Sequence, residues 1–300
     1  MFTNKTSLII PTKNRSSQII KLFHKLVFFK LEFNEIIIVD SSNVDHSKKI
    51  KAECEKYSYK YYHTRASTSY QRNFGLSKIK PNNYVMFMDD DVILLDDTFQ
   101  KMDECINKYG EDNNIGGFGF NQTEDERLSF FDKLKNSGLI TYLDIYPSKP
   151  GKISKSGWHS KILNLKEDVL ADWVFTTICI YKRDDIKDLK FDETFGEYSY
   201  LEDLDFSLNL MKKKKKIYIS SEAKFLHPEN IDRSSFRFGI VEIVNRYKII
   251  KKHKLSKTLF IIGSIIRFFI SLIKSLSFNK KYFFRCMGNV YSLFILQRNK

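Results

Sequence analysis

The sequence has 300 residues, is 42% hydrophobic, and carries 50 lysines and arginines against 36 acids, a net charge of +14. That length and apolar content fit one large domain or one domain with an appendage, and they exclude a chain too polar to bury a core. The charge is uneven: residues 211–300 hold 21 basic residues and four acidic ones, a net of +17, and the first 210 residues hold 29 against 32, a net of −3. The last ninety residues therefore read as a surface that meets a polyanion, either nucleic acid or an anionic membrane. Cys54, Cys105, Cys179 and Cys286 form no CxxC pair, and Met1 is not followed by a secretory segment. Reduced thiols and a cytosolic setting are expected.

In chain order, residues 7–11 read as a short buried strand, and residues 15–29 show helical spacing through Ile19, Leu22, Phe23, Leu26 and Val27. Residues 35–40 are a continuous β-branched run ending in Asp40, the pattern of a strand covered on both faces. A short helix is expected over 48–56, a strand over 59–63, a helix over 69–76 and a strand over 83–88 that ends in three aspartates. Residues 97–109 are again helical. Residues 120–170, with Pro147, Pro150, Gly151 and Gly157, read as an irregular excursion. A strand over 174–182, a helix over 200–212 and two short strands over 216–220 and 223–226 follow. Alternating strands and helices predict an α/β sheet, whose ligands lie beyond the carboxyl ends of the strands. Thr12, Asp40 and Asp89 fall at three such ends.

Asp89-Asp90-Asp91 is the strongest local signal. Strand alternation predicts that Asp89 and Asp91 converge while Asp90 points elsewhere. Paired carboxylates at a strand end suit Mg²⁺ or Mn²⁺; a solvated turn or helix cap is the plain alternative. The chain has no Gly-rich phosphate loop, and residues 11–15 contain no glycine. A phosphate ligand would have to be neutralised by a metal and by Arg or Lys side chains. Glu202 and Asp203 open a second acidic cluster. They serve either the dipole of their helix or general-base chemistry.

Residues 7–15 (SLIIPTKNR), 36–40 (IIIVD), 71–75 (QRNFG), 87–91 (FMDDD), 191–193 (FDE) and 202–205 (EDLD) together resemble the family 2 glycosyltransferases. Their order and spacing match over residues 5–230. The resemblance implies a GT-A fold, a mixed sheet with flanking helices, and an inverting transfer from a nucleotide-sugar. It implies a donor-binding set of Thr12, Arg15, Asp40, Arg72, Asp89, Asp90 and Trp173, with Asn73 holding a loop. Asp40 would accept a hydrogen bond from base or ribose, and Asp91, with Asp89 and His227, would meet Mn²⁺ or Mg²⁺. Asp203 would be the catalytic base and Glu202 would orient the acceptor. His227 also has an ordinary structural reading, and Trp173 either stacks on a sugar or packs. Two departures from the family pattern stand out: Asp40-Ser41-Ser42 where Asp-Asp-Gly-Ser is common, and Thr176-Thr177 where a glycine pair is common.

The basic tail contains the most apolar stretch of the chain, residues 258–278. Arg267 and Lys274 interrupt it, so it does not read as a clean membrane span. Ser264, Arg267, Ser271, Lys274 and Ser275 fall on one helical face, with Phe, Ile and Leu on the other. With flanking lysines, this predicts basic amphipathic helices on an anionic membrane surface; packing on the catalytic domain or on a second subunit is the alternative. Nucleic acid has no use for the apolar face.

The expectation is a catalytic domain over 1–235 and a membrane-associating tail over 236–300. The enzyme would move a hexosyl or N-acetylhexosaminyl group, most simply from a UDP-sugar, to a glycan or lipid-linked hydroxyl in cell-surface polysaccharide synthesis. It would work at the cytoplasmic face of the cell membrane. A sugar-1-phosphate nucleotidyltransferase and a non-catalytic nucleotide-sugar binding module are the rival readings.

Overall fold

The computed structural model describes residues 1–124, 138–228, 233–277 and 280–298. The chain divides into two compact units, Met1–Asp125 with Ile162–Pro228, and Glu126–Lys161 with Glu229–Lys300. The tail expected from residue 236 thus shares its unit with most of the irregular excursion.

The first unit is built on a mixed sheet of β1 (Thr6–Thr12), β2 (Glu35–Asp40), β3 (Lys60–His63), β4 (Tyr84–Met88), β5 (Ile93–Leu94), β6 (Ile115–Gln122), β7 (Val169–Ala171), β8 (Ile178–Lys182) and β9 (Lys216–Leu226). The strand order is β3-β2-β1-β4-β8-β6-β9-β5, with β7 also on β9. β3, β2, β1 and β4 are parallel. β8 runs antiparallel to both β4 and β6, and β6 is parallel to β9. Helices α1 (Ser16–Phe28), α2 (Val44–Lys56), α3 (Thr68–Leu76), α4 (Thr98–Tyr109) and α5 (Glu202–Lys212) flank it.

All seven residues of β1 and all six of β2 are buried, as a strand covered on both faces requires. Ile19, Leu22, Phe23 and Leu26 of α1 enter the main core with Leu8, Ile10, Ile36 and Ile38. Each such side chain contributes roughly 1.5–3 kcal/mol on burial. On the opposite face α3 lies close to β1: a Cβ on Gly75 would meet Ile9 Cγ2 at 2.5 Å. Asn43 and Ser67 cap α2 and α3 by accepting from the backbone N–H of His46 and Tyr70.

β6 was not anticipated. Its sequence, IGGFGFNQ, has three glycines that weaken any strand signal. One of them is demanded by packing, since a Cβ on Gly119 would meet Ile219 Cδ1 at 2.4 Å and Val174 Cγ2 at 2.6 Å. β8 begins at Ile178 rather than at 174, and the two short strands expected after residue 216 are one strand, β9.

The second unit contains α6 (Phe236–Lys252), α7 (Lys257–Ser277) and α8 (Tyr282–Arg298). Ile145, Tyr146, Trp158, Ile243, Ile250 and Phe260 form its core. Gly239 of α6 and Gly288 of α8 let those helices touch: a Cβ on Gly239 would meet Arg285 O at 2.4 Å.

Candidate active site

The parallel register sets Thr12 beside Asp40 and Asp40 beside His63, so the carboxyl ends of β1, β2 and β3 form one rim. Gln71 of α3 pins this rim, donating to Thr12 O at 3.0 Å and Val39 O at 2.7 Å. It was quoted in a sequence motif but given no role. A buried amide bridging two strand ends has no periodic signal.

β4 ends at Met88, and Asp90 and Asp91 lie in a turn. Strand alternation therefore stops before the triad, and the expected convergence of Asp89 with Asp91 is not what forms. Asp90 and Asp91 instead share Arg15, whose Nη1 lies 3.0 Å from Asp90 Oδ1 and 2.7 Å from Asp91 Oδ2. Thr12 donates to Asp90 Oδ2 at 2.6 Å. Burial pushes the Asp90 carboxyl up to about 6, against the pull of Thr12 and Arg15. Burial would raise Asp91 too, but His227 and Arg15 outweigh it and hold Asp91 below the usual range. His227 Nε2 lies 3.0 Å from Asp91 Oδ1; burial disfavours its charge, and Asp91 more than offsets that, so its pKa is raised.

Asp89 turns the other way, to Arg72. The Arg72 guanidinium is buried, with Nη2 2.9 Å from Asp89 Oδ1 and Nη1 on Glu202 Oε1. It lies over the Phe191 ring at 5.6 Å. Glu202 also accepts from Thr176 at 3.2 Å, so the Thr pair that departs from the family pattern is used here. Burial pushes Glu202 up, with Arg72 opposing and Asp203 and Asp89 adding to the rise. Asp203 is partly buried; burial raises it to about 6, against the backbone N–H of Leu204 at 2.7 Å. The two carboxylates sit at the start of α5, behind Leu201, whose φ of 74° is rare for a non-glycine residue. Backbone strain of this kind collects at functional sites.

Asn73 holds the 191–193 loop, donating to Phe191 O at 2.9 Å and accepting from Phe191 N at 2.8 Å. Asp40 is fully buried. Ser42 N, Ser42 Oγ, Ser47 Oγ and Tyr61 OH all donate to it, which fills a carboxylate's capacity. These contacts order the loop that follows β2. Trp173 is 2% exposed and set edge-on to Phe175 at 4.6 Å. Its ring packs, the second of the two readings given for it.

Asp91 and His227 supply an oxygen and a nitrogen donor in hydrogen-bond contact. That spacing suits two neighbouring ligands on a cation with bonds of roughly 2.1 Å. Among the described residues no group of three or more His, Cys, Asp or Glu could hold a metal alone. The donor set fits a divalent cation that completes its shell with phosphate oxygens and water.

Residues 7–164 match the family model described as glycosyl transferase family 2. No curated protein matches the sequence. Mannosyltransferase PcManGT from Pyrobaculum calidifontis, solved with GDP-Man and Mn²⁺, aligns at 11% identity and a TM-score of 0.56, covering 96% of this chain and 87% of that one. S. aureus TarS 1-349, solved with UDP-GlcNAc, aligns at 19% identity and a TM-score of 0.51, covering 92% and 74%. GalNAc-T7 with UDP, GalNAc and Mn²⁺ aligns at 11% identity and a TM-score of 0.54, covering 89% and 58%. At these identities the likeness shows the fold, which is GT-A. The family match extends over more than half of the chain, with one carboxylate cluster, 89–91, just past the end of β4 and the other, 202–203, opening α5: the chain belongs to glycosyl transferase family 2 and is a glycosyltransferase.

Proposed function

We propose that this enzyme inverts the anomeric centre of a nucleotide-diphosphate sugar, with Asp203 as the general base that deprotonates the acceptor hydroxyl. The observation that carries the reading is the Asp89–Arg72–Glu202 bridge, which ties the β4 end to the start of α5 and sets Asp203 beside it. A base raised to about 6 is ionised at neutral pH yet basic enough to take a proton. Glu202, anchored by Arg72 and Thr176, orients the acceptor. Arg72 and Arg15 are the cations available to the donor diphosphate, and Thr12, Asp89 and Asp90 line the donor side. Asp91 and His227 would hold Mn²⁺ or Mg²⁺, which when bound would neutralise the departing diphosphate.

The donor is taken to be a UDP-sugar and the group a hexosyl or N-acetylhexosaminyl unit. The structural neighbours were solved with UDP-GlcNAc and with GDP-Man, so a test has to carry both nucleotides. The acceptor is taken to be a glycan or lipid-linked hydroxyl in cell-surface polysaccharide synthesis, met at the cytoplasmic membrane face. The net charge of +17 over 211–300 supports an anionic membrane as partner. The test is hydrolysis of UDP-, dTDP- and GDP-sugars with Mn²⁺ or Mg²⁺, read as free nucleoside diphosphate. Metal-dependent release from one donor, lost in Asp91→Ala, is expected. Pyrophosphate release from a nucleoside triphosphate and a sugar phosphate would instead favour nucleotidyl transfer.

A further inference from the structure

The helical unit buries polar and charged side chains beside its apolar core. The polar face of α7 points inward: Ser264 and Ser271 are each 1% exposed, and Arg267 reaches Glu242 at 3.1 Å. On α8, Arg285 and Asn289 are buried, and Arg285 grips Glu242 through Nε at 3.2 Å and Nη2 at 2.8 Å. Arg246 lies over the Trp158 ring at 3.9 Å and donates to Gly157 O. Charges are thus collected in the interior of the unit.

Phe260 and Ile270 of α7 are buried, but a second set of apolar side chains faces outward. On α7, Ile261, Ile265, Phe269, Ile273 and Leu276 are 38–80% exposed and follow helical spacing. On α8, Phe284, Met287, Tyr291 and Phe294 make a second stripe, 46–62% exposed. Apolar surface this continuous on a water-facing helix pair marks a binding surface. Lysines stand at both ends. Lys251, Lys254 and Lys257 line a cleft at the α6–α7 turn, and Lys280 and Lys281 precede α8. A second copy of the chain would bring these like charges together; an anionic headgroup layer would complement them.

We propose that α7 and α8 lie side-on in the anionic leaflet, their apolar stripes among the acyl chains and their lysines at the headgroups. This rests on the membrane reading above and adds the face, the residues and the orientation. Residues 257–276 are, by length and composition, able to cross a membrane. Side-on seating is favoured because Arg267, midway along α7, pairs with Glu242 of α6. An upright α7 would carry Arg267 and the Glu242–Arg285 pair bound to it toward the middle of the hydrocarbon, which no bilayer accepts cheaply.

The full-length protein is sedimented with phosphatidylcholine vesicles, with or without phosphatidylglycerol. Ile265→Asp with Phe269→Asp should lower partition more than tenfold at low and high salt, while donor hydrolysis and thermal melting stay as in wild type. Lys280→Glu with Lys281→Glu should remove only the salt-sensitive part. If the double aspartate variant binds like wild type and the double glutamate variant does not, the membrane reading stands and the apolar seat falls. If wild type binds neither vesicle and instead self-associates until the aspartates are introduced, both fall. Phe269→Trp and Phe284→Trp, read separately against brominated lipids, fix orientation. Equal shallow quenching is expected; deep quenching at 269 with shallow quenching at 284 would mean a spanning helix and overturn the side-on seat.

Discussion

Both units bury charge, in opposite proportions. In the sheet unit Arg15 and Arg72 face four carboxylates, Asp89, Asp90, Asp91 and Glu202, with Asp203 adjacent. In the helical unit a single carboxylate, Glu242, is paired with Arg267 and Arg285 and feels Arg246 as well. Burial, only partly offset by Arg15 and Arg72, leaves Asp90, Glu202 and Asp203 raised, ready to meet a proton or an added cation. Burial would raise Glu242 too, but its three arginines outweigh it and hold it well below the carboxylate range. Buried charge with an unfilled demand is reactive; buried charge with its demand exceeded is structural.

The largest effect should come from removing the base. Asp203→Asn keeps size and hydrogen bonding but not basicity, and should lower kcat by about 10²–10⁴-fold. Calorimetry with UDP and Mn²⁺ should show binding unchanged. Full turnover in this variant would break the comparison at its reactive end. At the structural end, Glu242→Gln removes the carboxylate charge that Arg267 and Arg285 pair with and should destabilise the helical unit by about 3–5 kcal/mol. Urea unfolding followed by Trp158 fluorescence in a Trp173→Phe background reads that unit. A cost below about 1 kcal/mol would mean that the arginines do not depend on Glu242.

Arg72→Lys is milder. A lysine is a point charge and cannot hold Asp89 and Glu202 at once. Loss of one charge-assisted bond is worth about 1.5–3 kcal/mol, so kcat/KM should fall about 10–100-fold. Unchanged kinetics would remove the bridge from the proposed mechanism.

How much of this was legible in the sequence depended on whether a residue's signal was local. β1 and β2 were readable because continuous apolar runs are a local property. β6 was not, because its glycines answer to Ile219 and Val174, distant in sequence. Glu202, Asp203, Arg15 and Arg72 were found through motifs, but their pairing was hidden: it depends on β4 stopping at Met88, one residue before alternation would have set the aspartates. Asp40 and Trp173 were drawn toward the ligand by motif and chemistry, and their deep burial had no local signal. The spacing of Ser264, Arg267 and Ser271 exposed a two-faced helix, yet only the position of Glu242 reveals that the polar face turns inward.

The smallest effect is the sharpest test, because one change of pH should separate the units. Asp203 acts as a base only when deprotonated, and its raised value of about 6 places the acid limb of kcat/KM there. Activity should be near its plateau at pH 7, about half at pH 6 and about tenfold down at pH 5. Glu242 has the opposite sign. Its folded pKa lies below the unfolded one, so its stabilisation is present above about 4.3 and is lost only as pH falls through the folded value. Between pH 7 and 5 the urea midpoint of the helical unit should therefore hold while kcat/KM declines. A midpoint that fell in parallel with activity would mean that the acid limb reports unfolding rather than Asp203, and the contrast between the two charge networks would lose its basis.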